Sequence, residues 1–174
     1  MVVPDLHARM ELVLSVLAGK DQREVTAMDR LAAGELQILF LGDGFHAEGR
    51  AVARWQAALE EFKGGYRKHS HMDAEMRESL GVMEMVMNLK QHFPDHLHFL
   101  KGNHENISNE QGEGNYPFLK FANEGLMVRI YMEHFYGEEV LCAYAEFEKC
   151  FPLLAVGGAF LASHAEPAWF IPRQ

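Results

Sequence analysis

Acidic, histidine and amide side chains recur where predicted strands run out into loops. Four short segments carry them, in chain order Asp5-Leu6-His7, Gly42-Asp43, Gly102-Asn103-His104-Glu105 and Ser163-His164. Carboxylate, imidazole and amide oxygen together form the ligand set of a hard-to-borderline metal ion. Carboxylates that cluster need protonation or a cation to neutralise them. Because ligand crevices of open α/β sheets lie outside the carboxyl ends of the strands, these residues predict a metal site at that edge of the sheet.

The hydrophobic pattern predicts strands that alternate with helices. Apolar runs at 1–4, 36–41, 97–101 and 157–162 favour strands, and helical spacing favours helices over 51–62, from Asp73 to the residues before Pro94, and across most of 117–150. A stripe of methionines on the second of these helices predicts packed core. We therefore expect an α/β domain with a largely parallel sheet over 1–174, with a helical insertion at about 51–95.

Composition limits the partners that we expect. The formal net charge of −9 argues against a nucleic-acid surface, because phosphate backbones attract basic patches. No stretch approaches the roughly 20 apolar residues of a membrane span, and the first residues do not resemble a signal peptide. The chain has two cysteines, Cys142 and Cys150, which we interpret as reduced core thiols. These features predict a cytoplasmic protein that contacts neither nucleic acid nor membrane.

The most specific segment is Gly102-Asn103-His104-Glu105. An asparagine can give a metal ion one amide oxygen without adding charge, and the adjacent histidine remains able to move protons. Histidine is the natural general acid near neutral pH, since its ordinary pKa lies there. His104 is thus the candidate catalytic residue.

In their order and types the four segments resemble the calcineurin-like metallophosphoesterase superfamily. The pattern of that superfamily is D-x-H, G-D-x-x-D-R-G, G-N-H-E and then a strand that ends in histidine. The run 147–155, FEKCFPLLA, is similar to the serine/threonine phosphoprotein phosphatase branch, where a helix and a Leu-Pro-Leu-like turn precede the last histidine. The resemblance extends from Asp5 to Pro167.

This resemblance implies a metallophosphoesterase-like β-sandwich flanked by helices, and two divalent metal ions, with manganese, iron or zinc favoured. By it, Asp5 and His7 hold one metal, Asp43 bridges both, and Asn103 and His164 hold the second. The metals activate a water that attacks phosphorus in line. His104 is implied as the general acid that protonates the leaving oxygen.

Three departures from the family pattern separate this chain from its typical members. Pro4 stands in place of the usual glycine, and His46 and Ala47 stand in place of the second aspartate and the arginine of the second motif. Arg50 is the candidate that supplies the phosphate clamp from a shifted position. Ten residues follow His164 and none is histidine, although the family has a later histidine ligand. We therefore expect the domain to be incomplete on its C-terminal side.

Several functions fit these observations. The leading hypothesis is metal-dependent hydrolysis of phosphate monoesters, with a phosphoserine or phosphothreonine protein as the substrate that the resemblance favours. A rival with the same chemistry hydrolyses a dinucleoside polyphosphate or another small phosphoester. A third alternative is a non-catalytic, metal-binding module of the same fold, which Ala47 and the absent last histidine favour and the intact Gly-Asn-His-Glu segment disfavours.

Overall fold

The computed structural model describes residues 1–112 and 115–166. Pro167, the last residue of the family resemblance, lies outside the described residues. The helices are α1 (Met10–Ala18), α2 (Ala27–Ala32), α3 (Val52–Lys63), α4 (Ser70–His92), α5 (Glu124–Tyr136) and α6 (Glu138–Lys149). The strands are β1 (Val2–Val3), β2 (Ile38–Phe40), β3 (Leu97–Phe99), β4 (Leu154–Val156) and β5 (Leu161–Ser163). Within the described residues no helix has the length and apolar character needed to cross a bilayer.

A small parallel sheet lies at the centre of the structure. Its strand order is β1-β2-β3, and both neighbouring pairs are parallel. Phe40 of β2 lies in register with Val3 on one side and with Phe99 on the other. All three side chains are buried, as expected for a strand run without polar alternation. The α/β prediction is confirmed at the level of class, and the parallel strands are each shorter than predicted.

The last strand, β5, begins later than predicted, and it pairs with β4 and not with the parallel sheet. We expected a strand over 157–162, whereas Gly157 to Phe160 form the turn between β4 and β5. The Gly157 amide donates to the carbonyl of Phe160 at 2.9 Å, and β4 pairs with β5 in an antiparallel hairpin. A Gly-Gly pair suits a tight turn better than a strand interior, which explains the error. This hairpin still delivers Ser163 and His164 towards the parallel sheet.

Two helices, α3 and α4, fill the segment between the second and third parallel strands. They pack against each other, and α1 packs against α4. The predicted methionine stripe is core, since Met72, Met76 and Met83 are fully buried. Trp55 of α3 is also fully buried, and its indole N–H donates to the carbonyl of Ala47 at 2.7 Å. The helical pair thereby fixes the loop that follows β2.

The prediction of core cysteines is wrong. Cys142 and Cys150 are free thiols and both are exposed. The buried face of α6 consists of Leu141, Tyr144, Ala145 and Glu148, which repeat at helical spacing. Cys142 lies one residue off that face, and Cys150 lies just past the end of the helix. Helical spacing alone places these thiols outside the core.

Candidate metal centre

The loops after β1 and β2 are joined by backbone hydrogen bonds. The amide of His7 donates to the carbonyl of Asp43 at 2.6 Å, and that of Ala8 donates to the carbonyl of Gly44 at 2.9 Å. Because parallel strands end at one edge of a sheet, these loops continue side by side. His7 and Asp43 both have a positive φ, of 44° and 53°, which costs conformational energy in residues other than glycine. The two side chains are thus held at one place by strained but well-bonded backbone.

A buried carboxylate joins the loop after β2 to the loop after β3. Glu105 accepts hydrogen bonds from the backbone amides of Asp43, Gly44 and Gly102, at 2.9, 2.8 and 2.6 Å. Burial raises the pKa of Glu105, although the three amide donors favour its charged form. Glu105 belongs to the predicted Gly-Asn-His-Glu motif, but the sequence analysis assigned it no role. In the structure it fixes the distance between Asp43 and the Gly-Asn-His-Glu turn.

Two glycines let these loops approach each other. A Cβ atom on Gly102 would lie 2.1 Å from Oδ1 of Asp43, and one on Gly42 would lie 2.7 Å from the amide nitrogen of Gly102. Gly42 also has a φ of 107°, in the region that glycine adopts most easily. Gly42 is therefore required by the close approach of the two loop backbones, and Gly102 by the close approach of the Asp43 side chain.

Asp43 lies at the centre of the site. Its Oδ2 atom is 3.5 Å from Nε2 of His164, 3.6 Å from Nε2 of His104 and 3.9 Å from Nε2 of His7. Its Oδ1 atom accepts a hydrogen bond from the backbone amide of His104 at 3.0 Å. Burial and the nearby Glu105 carboxylate raise the pKa of Asp43 to about 6. A cation beside Oδ2 would reverse this shift, because it favours the ionised carboxylate.

The hydrogen bonds of His164 indicate that a cation fits here. Its Nδ1 atom is 2.9 Å from the carbonyl of Leu41, which can only accept, so Nδ1 carries the proton. Its Nε2 atom lies 2.9 Å from the side-chain oxygen of Asn103 and 3.5 Å from Oδ2 of Asp43. Nitrogen and oxygen atoms directed at one point in this way suit the coordination of a cation. A histidine whose other nitrogen donates to a backbone carbonyl is the usual arrangement of a metal ligand.

Two groups of side chains could hold a metal ion. Asp5, Asp43 and His164 form one group, and His7, Glu48 and His104 form the other, with the ligand atoms of each group within 4.8 Å of one another. The structure therefore brings the five predicted ligands to one place, with Asn103 beside His164. It also brings Glu48 and His104 to His7, whose Nε2 atom is 3.9 Å from Oδ2 of Asp5. Both groups offer nitrogen and oxygen donors, which fits a divalent cation.

His104 is buried between two loops, with its Nε2 atom 3.6 Å from Oδ2 of Asp43. Its Nδ1 atom lies 3.2 Å from the carbonyl of Phe45 and 3.1 Å from Nδ1 of His46. Burial, and then the neighbouring His7, lower the pKa of His104 to about 3. Its ring also packs on that of Phe118, with the ring centres 3.8 Å apart. His104 is thus neutral near pH 7 in this structure, with its proton on Nδ1 and its Nε2 lone pair towards Asp43.

Arg50 lies at the rim of the site. One of its nitrogens donates to Glu78 at 2.7 Å and another donates to the carbonyl of Ala8 at 2.9 Å. Arg50 also lines a cavity of about 360 Å³ together with His7, Arg9, Glu48 and Gly49. The guanidinium therefore supports the first loop and lies next to the metal-ligand groups. Its assignment as the phosphate clamp stays a prediction.

Glu48 is the site residue that the sequence analysis missed. Its carboxylate lies with His7 and His104, and Nζ of Lys120 is 2.6 Å from its Oε1 atom. This ion pair lowers the pKa of Glu48. The only signal in the sequence was an acidic residue five positions after Asp43, and such residues are common in loops.

Comparison with protein families, with curated proteins and with solved structures finds no match for this chain.

Proposed function

We propose that this chain hydrolyses phosphate monoesters with the help of two divalent metal ions. The observation that carries the proposal is the position of Asp43, whose Oδ2 atom lies within 3.9 Å of ring nitrogens from three histidines. A buried carboxylate surrounded by imidazoles and a second carboxylate is an arrangement that serves metal binding better than it serves stability. The motif resemblance adds the reaction class, with a metallophosphoesterase fold as part of the proposal.

In this proposal one cation is held by Asp5, Asp43, Asn103 and His164, and Asp43 borders the second. A bound divalent cation supplies charge for the phosphoryl oxygens and lowers the pKa of a coordinated water. Asp43 is kept in place by Glu105 and by the amide of His104, so its carboxylate does not need to reorganise. The general-acid role of His104 and the phosphate-binding role of Arg50 stay predictions.

The surroundings of the site support a phosphorylated substrate. The cavity beside His7 has two arginines, Arg9 and Arg50, in its wall. A second cavity, of about 540 Å³, lies on the Asn103 side and includes Lys101 and the exposed side chain of Tyr116. Positive charge on both sides of an acidic centre suits a phosphate group and its carrier. We propose a phosphorylated protein as the substrate and the cytoplasm as the location.

A second candidate is metal binding without turnover. The observation that favours it is His46, whose imidazole contacts Nδ1 of His104 at the position where the family pattern has an aspartate. A neutral partner does not favour a proton on His104 as a carboxylate would. A protein of this kind would bind divalent ions tightly and leave phosphoesters intact.

The test is hydrolysis by the metal-stripped chain titrated with Mn²⁺. The substrates are an aryl phosphate, a phosphoserine peptide and a dinucleoside polyphosphate, assayed with wild type, Asp43→Asn and the exposed control Asp95→Asn. We expect Mn²⁺-dependent release of phosphate from the monoesters by wild type and the control, with a loss of at least about 100-fold in Asp43→Asn. Turnover of the dinucleoside alone would favour the small-phosphoester alternative. Metal binding with no turnover of any substrate would favour the second candidate.

A further inference from the structure

We propose that His7, Glu48 and His104 form a metal site of their own, in which His104 is a ligand and not the proton donor. The ligand atoms of these three side chains lie within 4.8 Å of one another. The site borders that of Asp5, Asp43 and His164 but has its own three ligands, and one of them is a glutamate that lies outside the family pattern. The inference requires metal binding by this chain but does not require hydrolysis.

The orientation of the His104 ring supports this assignment. Its Nδ1 proton is directed at the carbonyl of Phe45, which can only accept a hydrogen bond. The Nε2 atom then has a lone pair, and it lies 3.6 Å from the carboxylate of Asp43 with no proton to share. A proton donor needs the opposite arrangement. The same pattern, with Nδ1 on a backbone carbonyl and Nε2 towards Asp43, occurs in His164.

His7 supplies a second, independent observation. In the described part of the chain its Nδ1 atom is buried and has no hydrogen-bond partner. A buried imidazole nitrogen without a partner loses its hydration and gains nothing in return. Its Nε2 atom is also only 3.9 Å from the carboxylates of Asp5 and Asp43. Coordination of a cation by Nδ1 would remove this cost.

Lys120 takes the place of the cation at Glu48. Its Nζ atom lies 2.6 Å from Oε1 of Glu48, and the side chains of both residues are partly exposed. The ammonium neutralises the carboxylate, which otherwise faces the imidazoles of His7 and His104. Because an exposed ion pair contributes little free energy, a divalent ion can displace Lys120 at small cost. Lys120 is therefore a competitor that weakens metal binding at this site.

Two histidines and one glutamate suit a particular class of metal. This ligand set is typical of zinc sites that keep an open coordination position, and cobalt occupies such sites readily. The group around Asp5 and Asp43 has more oxygen donors and suits manganese better. The two sites are thus expected to differ in selectivity, with Zn²⁺ or Co²⁺ at Glu48 and Mn²⁺ at Asp5.

The test is titration of the metal-stripped chain with Co²⁺, in which binding is measured by calorimetry and by the visible absorption of the bound cobalt. We expect wild type to bind two Co²⁺ per chain. In Glu48→Gln the affinity of one of these two binding steps should be at least about tenfold weaker. Lys120→Met should tighten the same step about two- to fivefold, since it removes the competing ammonium. The surface pair Lys20 and Glu24, joined at 3.0 Å, provides matched controls in Lys20→Met and Glu24→Gln, which should resemble wild type.

If Glu48→Gln binds two Co²⁺ with the affinities and the spectrum of wild type, the inference is overturned. Wild type that binds a single Co²⁺ would overturn it as well. If Glu48→Gln fails to fold, as judged by circular dichroism, Lys120→Met decides, and an unchanged affinity in that variant overturns the inference. Absence of hydrolysis in a wild type that keeps both Co²⁺ steps would contradict only the proposed function.

Discussion

His46 and His104 face each other through their Nδ1 atoms, which lie 3.1 Å apart in the buried part of the site. The Nδ1 proton of His104 is directed between this nitrogen and the carbonyl of Phe45. His46 therefore accepts through Nδ1 and carries its own proton on Nε2, which has no partner among the described residues. A neutral residue stands where the family pattern has a carboxylate. The proton and lone-pair positions on His104 follow from its contacts with Phe45 and His46.

Replacement of His46 by aspartate should tighten metal binding at His104. A carboxylate beside Nδ1 makes the opposite nitrogen a better ligand, as in carboxylate–histidine–metal arrangements. The φ of 62° at position 46 suits aspartate and asparagine better than most residues. We expect the Co²⁺ affinity of His46→Asp to rise several-fold and that of the uncharged control, His46→Asn, to stay at or below wild type. An equal change in both variants would show that charge at this position has no effect.

Glu105→Gln should disassemble the metal centre. The carboxylate accepts from three backbone amides, whereas a glutamine would bring an N–H₂ group against some of these donors. We expect the free energy of unfolding to fall by about 1–3 kcal/mol, together with weaker metal binding. Chemical denaturation and Co²⁺ titration measure the two effects. The exposed residue Glu110 supplies the control Glu110→Gln, and equal stability of the two variants would contradict the assigned role.

Gly102→Ala should displace Asp43. The added methyl group would lie 2.1 Å from Oδ1 of that residue, so the carboxylate or the backbone must move. We expect loss of metal binding out of proportion to the loss of stability, measured by titration and thermal unfolding in parallel. Gly158→Ala is the matched control, because open space surrounds its Cβ position. Wild-type metal affinity in Gly102→Ala would show that the close approach is not needed.

The stability of the chain should fall as the pH rises through the range set by Glu148. Burial raises the pKa of Glu148 to about 8 from an ordinary value of 4.5. The protonated form therefore stabilises the folded state below pH 4.5, and this stabilisation is lost as the pH rises towards 8. Glu148→Gln keeps an acceptor for the Ile107 amide without the charge.

We expect Glu148→Gln to be more stable than wild type at pH 8 by at least about 1 kcal/mol, with little difference at pH 4. Urea denaturation at both pH values measures this. Glu146→Gln, on the exposed side of α6, is the control. If the difference in the free energy of unfolding between wild type and Glu148→Gln does not depend on pH, the buried-acid explanation is contradicted.

The sequence allowed Asp5 and Asp43 to be placed together in advance, because residues that follow parallel strands meet at one edge of a sheet. The α/β class followed from the alternation of helical and strand periodicity. These conclusions depend on local spacing and on general rules of sheet topology.

Other features could not be read from spacing. Glu48 joins His7 and His104 because the helical pair α3–α4 fixes the path of the loop, and no local pattern marks a loop glutamate as directed inward. The predicted position of β5 was wrong because a Gly-Gly turn lies inside the apolar run. The proton positions of His104 follow from contacts with Phe45 and His46, which depend on tertiary structure alone.

The central claim is that the side chains around Asp43 bind divalent cations, and calorimetric titration of the metal-stripped chain with Mn²⁺ tests it most directly. Wild type and the control Asp95→Asn should bind Mn²⁺ with a saturable heat, and Asp43→Asn should bind at least about tenfold more weakly. All three proteins should have the same circular dichroism spectrum. Absence of saturable binding by folded wild type, or equal affinity in Asp43→Asn, would contradict the account.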